Sequence, residues 1–348
     1  MSRVPGSVRP LLRHLTLAAM VPLAALTLTA CGTPKASAPR VVGVPSISVS
    51  VPLETVACTR HDSCVAVGSL AGSLGPPTIG EYRKAGGRWL GLTVPSTPSA
   101  VITSASCWAS GCLFVGAQPS GDLVWRYDSS TDSVSTPPAP RSSLGVSVVS
   151  CYAELSCALV DTGSAGTPQL LLTADGGSTW TTPLAMTWAG GDSVTGLACR
   201  VEFVCVASAT SSAGLLTFES TSDGGVTWST VVVSSTWTSL RSLTCWGPRC
   251  AALATTQRAT QFVRTLDFGR TWSSLSLPES ANTLACTTFA TCVVAGQTGS
   301  QAPWVARIHR GVLSAVSLRY VPTPVIDAAC GTRVCAAIGL TTLMALAP

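Results

Sequence analysis

Cysteine spacing constrains this chain more than any other of its features. Fourteen of the 15 cysteines fall into pairs: Cys58/Cys64, Cys107/Cys112, Cys151/Cys157, Cys199/Cys205, Cys245/Cys250, Cys286/Cys292 and Cys330/Cys335. Four or five residues separate the partners, and successive pairs begin 49, 44, 48, 46, 41 and 44 residues apart. Self-similarity at such a period marks a propeller or an array of like units. Each second cysteine opens a short apolar run (CVAVG, CLFVG, CALVD, CVASA, CAALA, CVVAG, CAAIG) rich in the small residues that closely packed neighbouring sheets require.

The unit from Leu197 to Trp228 shows the pattern most clearly. A strand ends at Cys199, a short turn leads to Cys205, and a second strand follows. Later comes Ser222-Asp223-Gly224-Gly225-Val226-Thr227-Trp228, a tight turn. In such a turn Asp accepts hydrogen bonds from nearby amides, Gly supplies positive φ, and Trp anchors the next strand between sheets. The same turn recurs at Asp175 to Trp180 and at Asp267 to Trp272, and in worn form at Ala85 to Trp89. No long stretch carries a 3.6-residue apolar period, so helices are not expected. The fold class is all-β, a seven-bladed β-propeller with a disulfide in each blade. The blades are expected at roughly 52–93, 100–137, 145–185, 193–234, 239–277, 281–318 and 324–348.

These turns resemble the Asp-box (BNR) repeat, S-x-D-x-G-x-T-W, of sialidase-like propellers and of the seven-bladed photosystem II assembly factors. The box is a folding motif and names no activity. The resemblance implies a site on the face opposite the box turns, and for a sialidase an arginine triad with a Tyr/Glu pair. Those residues do not carry over: no R-I-P motif occurs, and only Tyr320, beside Arg319, falls in a loop on that face.

Before the repeats lies an address. Arg3, Arg9 and Arg13 precede a mostly apolar run from Leu15 to Leu28, too short to span a bilayer, and Leu28-Thr29-Ala30-Cys31 matches a bacterial lipobox. Residues 1–30 therefore read as a lipoprotein signal peptide, Cys31 as the lipidated residue and 31–41 as a lipid-anchored tether. The propeller takes 42–348. Parity agrees, because Cys31 is the one cysteine outside the pairs. Export would place the pairs in an oxidising space where disulfides persist. The last repeat lacks an outermost strand, and the alternating segment 42–51 is expected to supply it and close the ring.

Pairing of the flanking strands brings each cysteine couple within bridging range. A Cys-x4-Cys couple can also be half of a zinc site, but zinc needs two couples to converge, and blades hold corresponding turns apart. The formal charge of +5 falls to +2 without the three leader arginines, which argues against a nucleic-acid partner. His61 and His309 sit in no metal or nucleophile–base spacing, and the sparse acids offer no opposed carboxylate pair. No cofactor and no catalytic residue is expected. What remains is binding, on a face carrying Arg141, Trp188, Trp237, Arg258, Arg319 and Tyr320. The expected protein is a monomeric, extracytoplasmic lipoprotein, held to the membrane through the lipid on Cys31. It serves as a non-enzymatic platform for an envelope protein or glycan. A sialidase-type glycoside hydrolase and a purely structural lipoprotein are the alternatives.

Overall fold

The computed structural model describes residues 52–68, 78–83, 88–92, 100–140, 145–162, 166–188, 192–200, 204–233, 236–316, 324–340 and 342–346. They form six four-stranded antiparallel sheets and one sheet of three strands, every sheet a meander in which strands pair in chain order. Blade 1 covers 53–92, blade 2 101–135, blade 3 146–185, blade 4 193–232, blade 5 237–276 and blade 6 280–316; the seventh sheet covers 325–346. The all-β propeller is as expected. The expectation of seven complete blades is corrected to six, because the seventh sheet has three strands among the described residues. The segment expected to complete it, 42–51, lies outside them, as do the leader and Cys31.

Among the described residues there is no central core. Apolar side chains instead gather in seven clusters, each between two consecutive sheets, and the seventh joins Val334, Ala336 and Ile338 of the last sheet to Leu53, Val56 and Cys64 of blade 1. The sheets therefore close a ring. The alternation of a strand explains how one short segment serves two seams. In blade 3, Cys157 and Leu159 face blade 2, while Ala158 and Val160 face blade 4. This is why the runs after the second cysteines are apolar at every position.

All seven disulfides are present, each joining residues directly opposite on the first and second strands, with Cα atoms 3.9–4.0 Å apart. The two partners of a couple differ in their surroundings. The second partners, Cys64, Cys112, Cys157, Cys205, Cys250, Cys292 and Cys335, are at most 1 % exposed, and each belongs to a different one of the seven clusters. Cys112, Cys250, Cys292 and Cys335 are therefore core positions, as are Cys64, Cys157 and Cys205. Their strand is covered by a neighbouring blade on each face, so the sulfur fills a seam as a small apolar group would. The first partners lie on the innermost strands and border the axial space of the ring.

Each first strand also carries a bulge near its start, well ahead of its cysteine. There the second strand comes so close that a Cβ on Gly116 would lie 2.0 Å from the Val101 carbonyl oxygen, and one on Gly296 2.1 Å from that of Ser280. The bulged residue reaches the next blade: Glu54 accepts the Ile102 amide, and the Asn282 side-chain amide donates to the Val325 carbonyl.

Candidate binding site

Chain direction defines the two faces. First strands run towards their disulfides, and the turn between third and fourth strands packs on the same end. The Gly176 amide donates to Leu155, Phe268 to Pro248 and Arg310 to Ala290, each bond joining an outer turn to a disulfide loop. One face thus carries both the disulfide loops and the Asp-Gly turns.

Three of those turns share one bonding pattern. In blade 4, the Thr221 hydroxyl donates to Asp223, while its oxygen accepts the Gly225 amide. Asp223 then takes the amide and the hydroxyl of Thr227 at 2.9 and 2.6 Å. Asp175 and Asp267 repeat the arrangement with Thr179 and Thr271. Donors converging on each carboxylate hold all three at about 2, well below the ordinary value of 3.8. Their ionised form is thus favoured by folding above about pH 4, and that contribution is lost as the pH falls through about 2. Trp180, Trp228 and Trp272 follow into the seams, and Trp272 lies 5.0 Å from Phe218 of the preceding blade.

The first strands surround an axial cavity of about 660 Å³. Its wall is made of short hydroxyl side chains, such as Thr55, Ser104, Ser106 and Thr195, and holds Asp327. These groups clasp neighbouring sheets. Ser104 accepts the Val149 amide, Ser150 that of Cys199 and Thr283 that of Ala328. Asp327 accepts from the Thr55 hydroxyl at 2.9 Å, the Val56 amide at 3.0 Å, the Thr283 hydroxyl at 3.1 Å and the Ala328 amide at 2.8 Å. Burial pushes its pKa up, and with four donors it is a structural staple across the closing seams. At the disulfide-side mouth the lining changes to Arg60, Tyr152, Arg200, Trp246 and Thr332. The Arg60 guanidinium spans part of the opening by donating to the Tyr152 carbonyl at 3.4 Å.

Beside the mouth, Phe289 gathers three neighbours. The Arg249 and Arg264 guanidiniums stand 6.0 and 5.8 Å from its ring, and Trp246 meets it edge-on at 6.0 Å. Sequence reasoning missed this cluster. The signal was present, since Trp246, Arg249 and Phe289 sit within or beside cysteine-bracketed loops, the part of each repeat that sheet packing does not dictate. It missed Glu219 as well, a fully buried carboxyl on the third strand of blade 4. Glu219 accepts the Thr187 amide of blade 3's exit segment and the Thr230 hydroxyl, and burial, with the Asp192 charge nearby, pushes it up to about 7.

The expected binding face is redrawn by these positions. Trp188 and Trp237 are 6 % and 8 % exposed and belong to the seams between blades 3 and 4 and blades 4 and 5. Trp237 packs edge-on against Trp272 at 5.6 Å. The reason is size: a large ring beside a blade boundary gains more by filling the seam than by facing water. Arg258 is exposed in the loop between second and third strands of blade 5, its amide donating to Thr256. Arg141, Arg319 and Tyr320 lie outside the described residues. His61 and His309 are exposed, and among the described residues no group of three His, Cys, Asp or Glu could hold a metal.

Fold and cavity together define a β-propeller with an axial cavity. Among solved structures the chain is similar to YCF48 bound to D1 peptide, with 16 % identity and a TM-score of 0.63 over 87 % of this chain and 96 % of that one. It is similar to YCF48 from Cyanidioschyzon merolae at 14 % identity and a TM-score of 0.62, over 90 % and 99 % of the two chains. Selenomethionine-substituted virginiamycin B lyase from Staphylococcus aureus aligns at 8 % identity and a TM-score of 0.63, over 87 % and 98 %. Identities this low show the fold alone. No protein-family model and no curated protein matches the sequence.

Proposed function

We propose that this propeller is a non-enzymatic binding platform that takes a polar segment of an envelope protein in the disulfide-side mouth of its axial cavity. The observation that carries this reading is the change of lining at the mouth. Deeper in the cavity the hydroxyls and the carboxylate clasp neighbouring sheets, whereas at the mouth Arg200 and Trp246 line the opening with no hydrogen bond or ion pair from a described side chain. An exposed arginine beside a half-buried aromatic ring at a rigid concavity is what peptide recognition uses. That YCF48 has been solved with a peptide supports the reading by analogy of fold.

The remaining parts of the reading come from the sequence. The box turns, with their repeated Thr-Asp-Thr bonding, support placement among Asp-box propellers. The lipobox at Cys31 supports an acylated, extracytoplasmic protein. The outer edge of the seventh sheet, unpaired among the described residues, supports closure of a seventh blade by 42–51. In-cell crosslinking of the lipidated chain, followed by mass spectrometry, tests the platform. One specific envelope protein is expected, lost from the Arg60→Ala/Arg200→Ala/Trp246→Ala variant with the fold retained. The same recovery from that variant would remove the mouth from the proposal, and turnover of a fluorogenic sialoside would replace it with the hydrolase reading.

A further inference from the structure

Among the described residues seven large aliphatic side chains are exposed; Val101, Leu215, Val232 and Leu340 stand at the far ends of the strands, and the other three stand on consecutive Asp-Gly-type turns of the disulfide face. They are Val226 on blade 4, Leu266 on blade 5 and Val312 on blade 6, exposed by 72 %, 64 % and 69 %. The equivalent turns of blades 2 and 3 carry Ser129, Ser130, Ser178 and Thr179 at their tips. Around the three aliphatic tips lie Arg249, Arg264, Arg270 and Arg310, none of them ion-paired to a described residue. Two of these cations converge on one ring, Phe289. Gathering like charges raises their free energy until a counter-charge arrives. The acids of the same turns, Asp223 and Asp267, stay ionised and offset part of that charge, which leaves the four arginines in excess.

We infer that this rim, the disulfide side of blades 4 to 6, docks on an anionic membrane surface. Arginines take the lipid phosphates, and Val226, Leu266 and Val312 enter the headgroup–acyl boundary. The form of the patch favours a bilayer over a protein. A protein interface buries one contiguous apolar core, whereas here the aliphatic groups stand on separate convex tips with polar turn residues between them. Topology adds a second argument, which rests on the closing strand proposed above. Third strands end on the disulfide face, so a fourth strand of the seventh sheet starts there. A strand over 42–51 would therefore bring residue 41, and the lipid expected on Cys31, out on the same face as the rim. Docked this way, the cavity mouth opens beside the bilayer, where a polar segment of a membrane-borne partner is within reach.

Every seam and all seven disulfides lie within 52–346, so the test uses the fragment 38–348, with a cooperative melting curve required before vesicles are added. The test is co-flotation of the fragment with vesicles of phosphatidylcholine containing 0 to about 40 % phosphatidylglycerol, in low salt and in about 0.5 M NaCl. Binding is expected to rise with the anionic fraction and to fall at least tenfold in high salt. It is expected to fall at least fivefold in Val226→Ser/Leu266→Ser/Val312→Ser and again in Arg249→Gln/Arg264→Gln, with melting curves showing each variant folded. Binding that ignores the anionic lipid, or that the folded variants retain, overturns the inference. Variants that keep vesicle binding but lose an in-cell protein crosslink would give the rim to a protein partner instead. Because the fragment carries no Cys31, failure here leaves lipidation and the cavity-mouth platform standing.

Discussion

Two carboxyls of this propeller are buried in opposite settings. Asp327 receives four hydrogen bonds from three sheets, whereas Glu219 receives two long ones, at 3.3 Å each, in a seam otherwise filled by Met186, Trp188 and Leu197. Burial raises Glu219 from 4.5 to about 7. A folded-state value above the unfolded one means that the fold prefers the protonated acid. The penalty for ionising it is absent below about pH 4.5 and grows as the pH rises to about 7. Glu219→Gln keeps the shape and cannot ionise. Melting temperature of the wild type should therefore fall between pH 5 and pH 8 more steeply than that of the variant, with the variant the more stable at pH 8. Parallel profiles would mean that the seam admits enough water to solvate the charge.

At the scale of elements, the strands were legible and the loops were not. The cysteine couples, the apolar runs after them and the Asp-Gly-Trp turns follow from backbone rules that hold wherever a meander recurs, so their positions transferred directly to the structure. Which partner of a couple is buried was not legible: Cys112, Cys250, Cys292 and Cys335 sink into seams because of the blades beside them, and the spacing to their partners says nothing of that. Trp188 and Trp237 had two courses open to them, facing outward or packing between blades, and they take the second because a neighbouring blade closes over each ring. The Phe289 cluster joins the loops of blades 5 and 6, and no spacing along the chain encodes that meeting. One element rule is testable at the bulges. Gly116 and Gly296 lie opposite the bulge of the first strand, and an added methyl would overlap a carbonyl oxygen. Gly116→Ala should cost about 1–3 kcal/mol through forced backbone displacement, read by denaturant unfolding. Gly91→Ala, where a Cβ meets nothing, is the control and should stay within about 1 kcal/mol of the wild type.

For the whole molecule the question is how a ring of sheets becomes one cooperative body. Each sheet buries its two faces against neighbours, so stability is a sum of seam terms that is complete only when the last sheet meets the first. That closing seam is already dense: Leu53 donates its amide to Leu340, Asp327 bridges to Thr55 and Val56, and Thr332 donates to the Arg60 carbonyl while Asp62 accepts the Arg333 amide. What the seventh sheet lacks among the described residues is an outer partner for its third strand, Leu343–Leu346. An unpaired edge of this kind frays and invites pairing with other chains. Supplying that strand from 42–51 would tie the beginning of the chain to its end, so that the closing sheet could open only by unpairing both. Removal of 42–51 from the 38–348 fragment should then lower the melting temperature by roughly 5 °C or more and broaden the transition as closure weakens. Size-exclusion chromatography of the shortened fragment should show self-association through the bared edge. A melting curve and elution volume matching the intact fragment would mean that the three-stranded sheet closes the ring alone, held by the Asp327 staple and the seam it spans.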